Sequence, residues 1–349
     1  MKFRNIVILA IVAAALVAAA KFTSGNRRAR TPDIAGTPVL PGLDLAGVAA
    51  VEISESGSAL RIEQSGDAWT VTNAFGYPAD FARLRQAMIE LADLKVGHVQ
   101  HGMEIDPASS IKVSLFGADG AELASLLLGG TRDSGRQQET PYGMMGGGAD
   151  GRYVAPAGSS QTFLVKENLD GFVADPRAWL DSELLSLQSS DVARIELVAP
   201  GGAKTSFDRS SGRLAMEGLA EGEEFDSSKS YGLESALAYL RLAGIADPAL
   251  DDAATGLADG AASVFAATTK DGTTYTARIG AASPDGDRYA RFAIDCGTNS
   301  VPAEVAAKQS LFAKYTYLIP SYNAQNMTRV RADFIKAPPA PAETAGEEE

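Results

Sequence analysis

A repeated pattern of strands constrains the fold of this chain more than any other feature. Residues 48–53 (VAAVEI) resemble residues 192–197 (VARIEL). In both places a further stretch of alternating apolar and polar residues follows, at 61–71 and at 206–216, broken by Ser and Gly. Alternation with a period of two is typical of a strand with one buried face, and the break is typical of a hairpin turn. The start of an antiparallel sheet is therefore predicted twice.

A helix is predicted after each of these hairpins. Apolar residues recur at spacings of three and four over Asp80–Val96, with Asp80 as N-cap and Gly97 after the last turn. A similar apolar stripe covers Ser227–Leu242 and stops at Gly244. We expect one long helix in each copy.

Strands resume after each predicted helix. Asp119-Gly120 and Asp271-Gly272 are hairpin dipeptides typical of type I′ turns, and Arg152-Tyr153 and Arg288-Tyr289 each begin another strand. Strands, one helix and further strands predict an α+β fold. The same order in both copies predicts two tandem repeated units, 46–188 and 189–335. In each unit we expect a mainly antiparallel sheet with the long helix on one face.

The N-terminus predicts export or membrane anchoring. Lys2 and Arg4 precede Ile6–Ala20, which has no polar side chain and approaches the length of a spanning helix. The run also ends in three alanines, as a cleaved signal peptide does. We favour an uncleaved signal anchor over residues 1–22 and leave cleavage open. The protein is then a single-pass protein of the bacterial inner membrane whose body faces the periplasm.

Two further segments are predicted to lie outside the folded units. Residues 23–45 are rich in Pro and Gly and have no periodicity, which indicates a tether. Residues 336–349 indicate a disordered acidic tail. The net charge of the chain is −13, although its first thirty residues carry six basic side chains and no acid. A body this acidic repels phosphate backbones, so we expect no nucleic-acid partner.

The two histidines are the strongest candidates for a metal site. His98 and His101 precede Glu104 and Asp106, and imidazole with carboxylate can bind zinc. However, residues 101–103 align with Thr255-Gly256-Leu257 of the second copy, so the scaffold fills the His101 position with Thr. We predict a solvated loop and no metal.

Other catalytic patterns lack a required partner. Ser109 and Lys112 have the spacing of a Ser/Lys dyad but enter a predicted strand, and the companion motifs are missing. Cys296 is the only cysteine and has no distant His to activate it. The glycine-rich stretch 143–148 lacks the Gly-Lys-Ser/Thr ending of a phosphate loop and indicates a loop between strands. Trp69 and Trp179 are predicted to be core anchors.

Three segments resemble a known bacterial family. They are Ala68–Val71 after a Gly-Asp turn, Tyr77–Asp80 before the first helix, and Gly102–Pro107 before the next strand. Together they resemble the domain-of-unknown-function family numbered 4340, over roughly residues 46–335. The second copy departs from the pattern, with Leu214 in the position of Trp69 and no proline at residues 256–260.

The resemblance implies a short membrane segment, an exported body and an association with ABC-type transporter components of the gliding-motility kind. It supplies no catalytic residues. We therefore expect a non-catalytic, membrane-tethered envelope protein without cofactor, a scaffold or accessory subunit that acts through protein contacts. The alternative is a periplasmic carboxylate-dependent hydrolase or solute-binding protein with a site between the two units.

Overall fold

A computed structural model describes residues 34–133, 138–140, 143–145, 149–209, 212–298 and 300–336. Two large antiparallel sheets dominate the fold, which is α+β as the sequence predicts. The α-helices are α1 (Phe81–Ala92), α2 (Ser230–Glu234), α3 (Asp252–Thr255), α4 (Ala303–Lys314) and α5 (Ser321–Met327).

The first half of the chain forms a nine-stranded sheet and a small hairpin. The strands are β1 (Val48–Glu55), β2 (Ser58–Ser65), β3 (Ala68–Val71), β4 (Tyr77–Pro78), β5 (His98–Gln100), β6 (Ile111–Gly117), β7 (Glu122–Asp133), β8 (Gln138–Thr140), β9 (Gly143–Met145), β10 (Ala149–Pro156) and β11 (Thr162–Val165). Strands β8 and β9 pair only with each other. The order of the large sheet is β4-β3-β2-β1-β6-β7-β10-β11-β5.

The second half forms an eight-stranded sheet and a separate pair of short strands. The strands are β12 (Glu183–Leu185), β13 (Val192–Val198), β14 (Lys204–Asp208), β15 (Ala215–Met216), β16 (Leu240–Arg241), β17 (Gly244–Ile245), β18 (Ser263–Thr269), β19 (Thr274–Ala282), β20 (Arg288–Asp295) and β21 (Tyr317–Ile319). Its order is β15-β14-β13-β18-β19-β20-β21-β17, and β12 pairs with β16 apart from it. From β3 onward, the strands of the first sheet lie side by side in the same chain order as those of the second sheet.

The predicted hairpin dipeptides lie in turns at equivalent places. Gly120 joins β6 to β7 and Gly272 joins β18 to β19, with φ of 78° and 88°. The preceding Asp residues do not have positive φ, which a type I′ turn requires. The turn type predicted from sequence is therefore wrong, since a single left-handed glycine after an Asp fits a three-residue loop with a bulge. Asp119 and Asp271 instead accept hydrogen bonds from backbone amides two residues later.

The second long helix predicted from sequence is absent at its predicted place. Over Ser227–Leu242 the chain forms a 3₁₀ turn, the five-residue α2, further turns and then β16. Helix α5 passes so close to Gly232 that an added Cβ would lie 2.9 Å from Asn326 Cγ. Leu233 and Leu237 are buried as predicted, but Leu233 lies in the short α2 and Leu237 in the turns that follow it. The apolar spacing indicated burial correctly and helix length incorrectly, because Gly and four Ser residues in this stretch weaken a helix.

The long helix of the second half is α4, which comes from a later part of the chain. It packs against β20 of the second sheet. Phe312 is its buried anchor and contacts Phe292 on β20, with ring centres 5.4 Å apart. Of the two predicted helices, only α1 is present, and it begins at the predicted place but ends at Ala92 and not at Val96.

Part of the predicted tether belongs to the folded body. Gly36 N donates to Val96 O at 2.7 Å and Val39 N donates to Leu94 O at 2.8 Å. The Val39 side chain is only 3% exposed and lies in the core. This segment has no helix or strand periodicity in its sequence because residues 34–43 form a short irregular strap. The predicted signal anchor, the first part of the predicted tether and all but Lys336 of the predicted acidic tail lie outside the described residues. No described helix is long and apolar enough to cross a membrane.

A group of three carboxylates beside α1 makes stability depend on pH. Burial raises the pKa of Glu90, and the nearby carboxylates Glu167 and Asp170 raise it further. A raised folded-state pKa means that ionised Glu90 destabilises the fold at neutral pH, and that stability is regained as pH falls through that pKa. We expect Glu90→Gln to raise the free energy of unfolding by about 0.5 kcal/mol at pH 7. Urea unfolding at pH 7 and pH 4 checks this, and a gain that persists at pH 4 would contradict it.

Candidate functional site

The two sheets are joined by the segment between them and by side chains of the second half. Within residues 176–187, Trp179 accepts a backbone hydrogen bond from Asp80 N at 2.8 Å. Lys308 Nζ of α4 donates to Leu184 O at 2.8 Å. The Tyr315 hydroxyl donates to Gly76 O at 2.9 Å. One buried apolar cluster runs through both sheets and this junction.

Aromatic rings fill the junction. Tyr77 on β4 lies edge-on to Tyr315 and Tyr317, with ring centres 5.2 and 6.0 Å apart. Tyr317 also contacts Phe292 and Phe312. Burial is the main cause that raises the pKa of Tyr77 and of Tyr317 well above the usual range. Both phenols therefore stay protonated, which suits packing and not proton abstraction.

A cavity of about 250 Å³ opens beside this aromatic cluster, and we call it the junction cavity. The loop between β3 and β4 forms one wall, and the second half of the chain forms the others. Its lining residues are Phe75, Ala246, Pro248, Leu250, Arg291, Lys314, Tyr315 and Thr316. The site is concave and its lining is about equally polar and apolar, so it can contact both a charged group and a hydrocarbon group.

The junction cavity carries positive charge in a chain whose net charge is −13. Arg291 Nη2 pairs with Asp252 at 2.6 Å, and Arg291 Nε donates to the Thr316 hydroxyl at 3.0 Å. Lys314 Nζ lies 4.7 Å from the centre of the Tyr315 ring. In the described part of the chain no carboxylate pairs with Lys314. The acid beside Arg291 therefore balances one of two cations.

Phe75 holds an unusual backbone conformation at the wall of this cavity. Its φ is +57°, a left-handed value that bulky residues rarely adopt. The side chain is nevertheless 44% exposed, so burial does not account for a Phe here. Gly76 follows with φ of +73°, and its carbonyl is the one that Tyr315 binds. Strain of this kind in a wall of a cavity points to a functional position.

A second and larger depression, of about 560 Å³, lies where the described chain begins, and we call it the entry groove. The strap formed by residues 34–43 makes one wall, and the ends of β7, β10 and β11 make the other. Apolar side chains predominate, among them Leu40, Leu123 and Phe163. Its acid, Glu122, pairs with Lys112 at 3.8 Å, so the groove is close to neutral.

The predicted metal candidates lie on a sheet edge. His98 is exposed on the edge strand β5, and His101 is exposed in the turn that follows. Asp106 accepts from Ala108 N at 3.0 Å and so caps its own turn. Within the described ranges, no cluster of three or more His, Cys, Asp or Glu side chains is placed to hold a metal ion.

The other candidates have structural partners. Ser109 donates to Asp106 Oδ2 at 3.3 Å, whereas Lys112 reaches Glu122. Cys296 is buried just after β20. Of the glycine-rich stretch, residues 143–145 form β9 and the rest lies outside the described residues.

The two tryptophans differ in burial. Trp179 has no exposed surface, while Trp69 is half-buried and packs against the core. Both therefore support the core, as predicted.

Sequence reasoning did not select any residue of the junction cavity as a site residue. Phe75 lies in the first half of the chain, whereas Arg291 and Lys314 lie in the second half, and none belongs to a short motif. One signal was available, since a Phe directly before a Gly in a turn raises the question of left-handed backbone.

Comparison with known proteins identifies the family. A family described as a domain of unknown function (DUF4340) matches residues 69–260, which is more than half of the chain. No curated protein and no solved structure matches the chain. The match agrees with the resemblance carried by Ala68–Val71, Tyr77–Asp80 and Gly102–Pro107. The chain belongs to the DUF4340 family.

Proposed function

We propose that this protein is a non-catalytic, membrane-tethered envelope protein, a scaffold or accessory subunit that acts through protein contacts. The observation that carries the proposal is the entry groove, which is large and close to neutral and combines many apolar side chains with exposed polar groups. It lies beside Ile34, at the point where the N-terminal segment joins the body. If the N-terminal segment is anchored in the membrane as proposed, a contact surface at this point is held close to that membrane.

The length of the N-terminal segment supports a partner in the membrane. We place an anchor at residues 1–22, in the bacterial inner membrane, with the body in the periplasm. Residues 23–33 then span at most about 40 Å when fully extended. The entry groove therefore stays near the membrane surface. We propose that its occupant is a segment of an integral membrane protein that presents both apolar side chains and polar groups, with a subunit of an ABC-type transporter as the favoured candidate.

We also infer that the two sheets are copies of one α+β unit, at 46–188 and 189–335. Their equivalent strands follow the same order. Arg152 donates to Gly129 O across β10 and β7, and Arg288 donates to Gly280 O across β20 and β19. These arginines are the pair that the sequence aligns. Two copies offer two related faces, which suits a protein that works through contacts.

The geometry gives less support to a carboxylate-dependent hydrolase between the units. No carboxylate is among the described residues that line the junction cavity. Asp252, close by, is engaged with Arg291. Two facing carboxylates are the minimum that such chemistry requires.

Photo-crosslinking in intact cells tests the contact proposal. A photoreactive residue at Leu123, on the groove wall, should form an adduct with an integral membrane protein. The same residue at Tyr239, which is exposed and does not line the groove, is the matched control. Ala157→Arg, which puts a long charged side chain into the groove, should abolish the Leu123 adduct because a bound segment would then bury an unpaired charge.

Topology is tested on the same chain. Alkaline phosphatase fused to the C-terminus should be active, since it requires export. Inactivity together with an active cytoplasmic reporter would overturn the proposed topology.

In the crosslinking test, equal adducts from Leu123 and Tyr239, unaffected by Ala157→Arg, would overturn the role of the groove.

A further inference from the structure

We propose that the junction cavity binds a small organic anion, a carboxylate attached to a compact apolar body. This site is separate from the entry groove, and the two share no lining residue. The proposal therefore stands independently of the membrane contact.

The polar groups of the cavity are donors without enough acceptors. Arg291 uses Nη2 on Asp252 and Nε on Thr316, and in the described part of the chain no acceptor is placed on Nη1. The Thr316 hydroxyl accepts from Arg291, so its own hydrogen remains available to donate. Lys314 adds an ammonium that no described carboxylate neutralises. A carboxylate at this point would receive charge-assisted hydrogen bonds from both cations.

The remaining lining side chains are apolar or aromatic, and they would contact the apolar body of the ligand. Ala246, Pro248 and Leu250 form one side, and the rings of Phe75 and Tyr315 form another. The hydroxyl of Tyr315 is directed to Gly76 O, which keeps that end of the ring occupied. A flat or branched hydrocarbon group fits such walls, whereas a strongly hydrated body such as a sugar does not.

The left-handed backbone of Phe75 indicates that its aromatic ring is required in the cavity wall. A Gly at this position would adopt φ of +57° without cost, but it would remove the ring. The chain therefore keeps an exposed aromatic side chain in a conformation that disfavours it. Contact with a bound molecule accounts for both the exposure and the strain.

The volume limits the size of the ligand. At about 250 Å³ the cavity lies just below the range of about 300–1,000 Å³ that is usual for ligand sites. A single ring or a short branched chain with one carboxylate fits, and a nucleotide does not. Benzoate, cyclohexanecarboxylate and isovalerate are suitable probes, with the corresponding amides as uncharged analogues.

The test uses the purified full chain and saturation-transfer NMR with these probes. We expect at least one carboxylate to bind and its amide to bind at least tenfold more weakly. Lys314→Met should weaken carboxylate binding at least tenfold. Lys270→Met is the matched control, because Lys270 is exposed in the turn between β18 and β19 of the second sheet and does not line the cavity. It should leave binding unchanged.

Phe75→Gly separates binding from folding. It should weaken binding at least fivefold while the melting temperature stays the same or rises, since the backbone strain is removed. The proposal is overturned if none of the three carboxylates binds better than its amide. It is also overturned if Lys314→Met binds as the wild type does, or if Lys270→Met loses as much affinity as Lys314→Met.

Discussion

Replacing Trp179 by Ala should lower the free energy of unfolding by about 3–5 kcal/mol, the range typical of a fully buried aromatic side chain. The indole is completely buried and packs against Phe172, with ring centres 6.3 Å apart. Its Nε1 donates to Val173 O at 2.9 Å, and the Arg83 guanidinium lies 4.8 Å from the ring. The change removes the packing, the hydrogen bond and the cation–π contact together. Urea unfolding followed by far-UV circular dichroism measures the loss.

Trp69→Ala is the matched control for this prediction. Trp69 is half-buried, so its removal should cost about 1–2 kcal/mol. Because one apolar cluster runs through both sheets, we also expect both variants to unfold in a single transition. Equal losses from the two tryptophans would contradict the larger effect expected at Trp179. Two separate transitions in Trp179→Ala would contradict the single cooperative unfolding of both halves.

Gly280→Ala should destabilise the protein by about 2–3 kcal/mol, at the upper part of the range for overpacked sites. Gly280 lies in β19, directly against the turn that follows α3. A Cβ at this position would come far inside van der Waals contact of the Thr255 carbonyl oxygen and within 3.0 Å of Leu257 Cγ. The oxygen belongs to the backbone, so relief requires the whole turn to move. Thermal or urea unfolding detects the effect.

Gly130→Ala provides the control in the equivalent strand, β7. A Cβ at Gly130 meets no heavy atom within 4 Å. We expect a change within about 0.5 kcal/mol, or a slight gain because alanine restricts the unfolded chain. If the two glycines gave equal losses, strand propensity and not the Thr255 contact would be the cause.

The hairpins and α1 could be predicted because their signals are local. Alternation over 48–53 and 192–197, the Asp-Gly dipeptides and the Asp80 cap each act within a few residues. The cap is present, since Asp80 accepts from Arg83 N at 3.0 Å. Such features are set by backbone sterics and hydrogen bonds between near neighbours, which the order of residues displays directly.

The elements that sequence reasoning missed depend on distant contacts. The strap at 34–43 is ordered by hydrogen bonds to Leu94 and Val96, which lie beyond α1. Helix α4 has only a weak apolar stripe, and Phe312 is its one buried residue. The apolar stripe over Ser227–Leu242 is divided among the short α2, turns and β16, which pairs with β12. In each case tertiary packing overrides local preference.

The junction cavity could not be predicted for a related reason. Its cations stand at positions 291 and 314, and its aromatic wall includes position 75. No short-range pattern links these positions, and a charge alone on a strand or at a helix end is ordinary. Only the packing of the second half against the β3–β4 loop brings them together.

The sheet order has a consequence for how the chain is completed during synthesis. Every strand of the first large sheet ends by Val165, so that sheet can close before the second half exists. Its aromatic end cannot be finished then, because the hydrogen bond from Tyr315 to Gly76 O joins positions 239 residues apart. Until Tyr315 has been synthesised, Tyr77 and its neighbours form an exposed apolar surface on the nascent chain. A chaperone that binds this end of the first sheet would protect the nascent chain from aggregation.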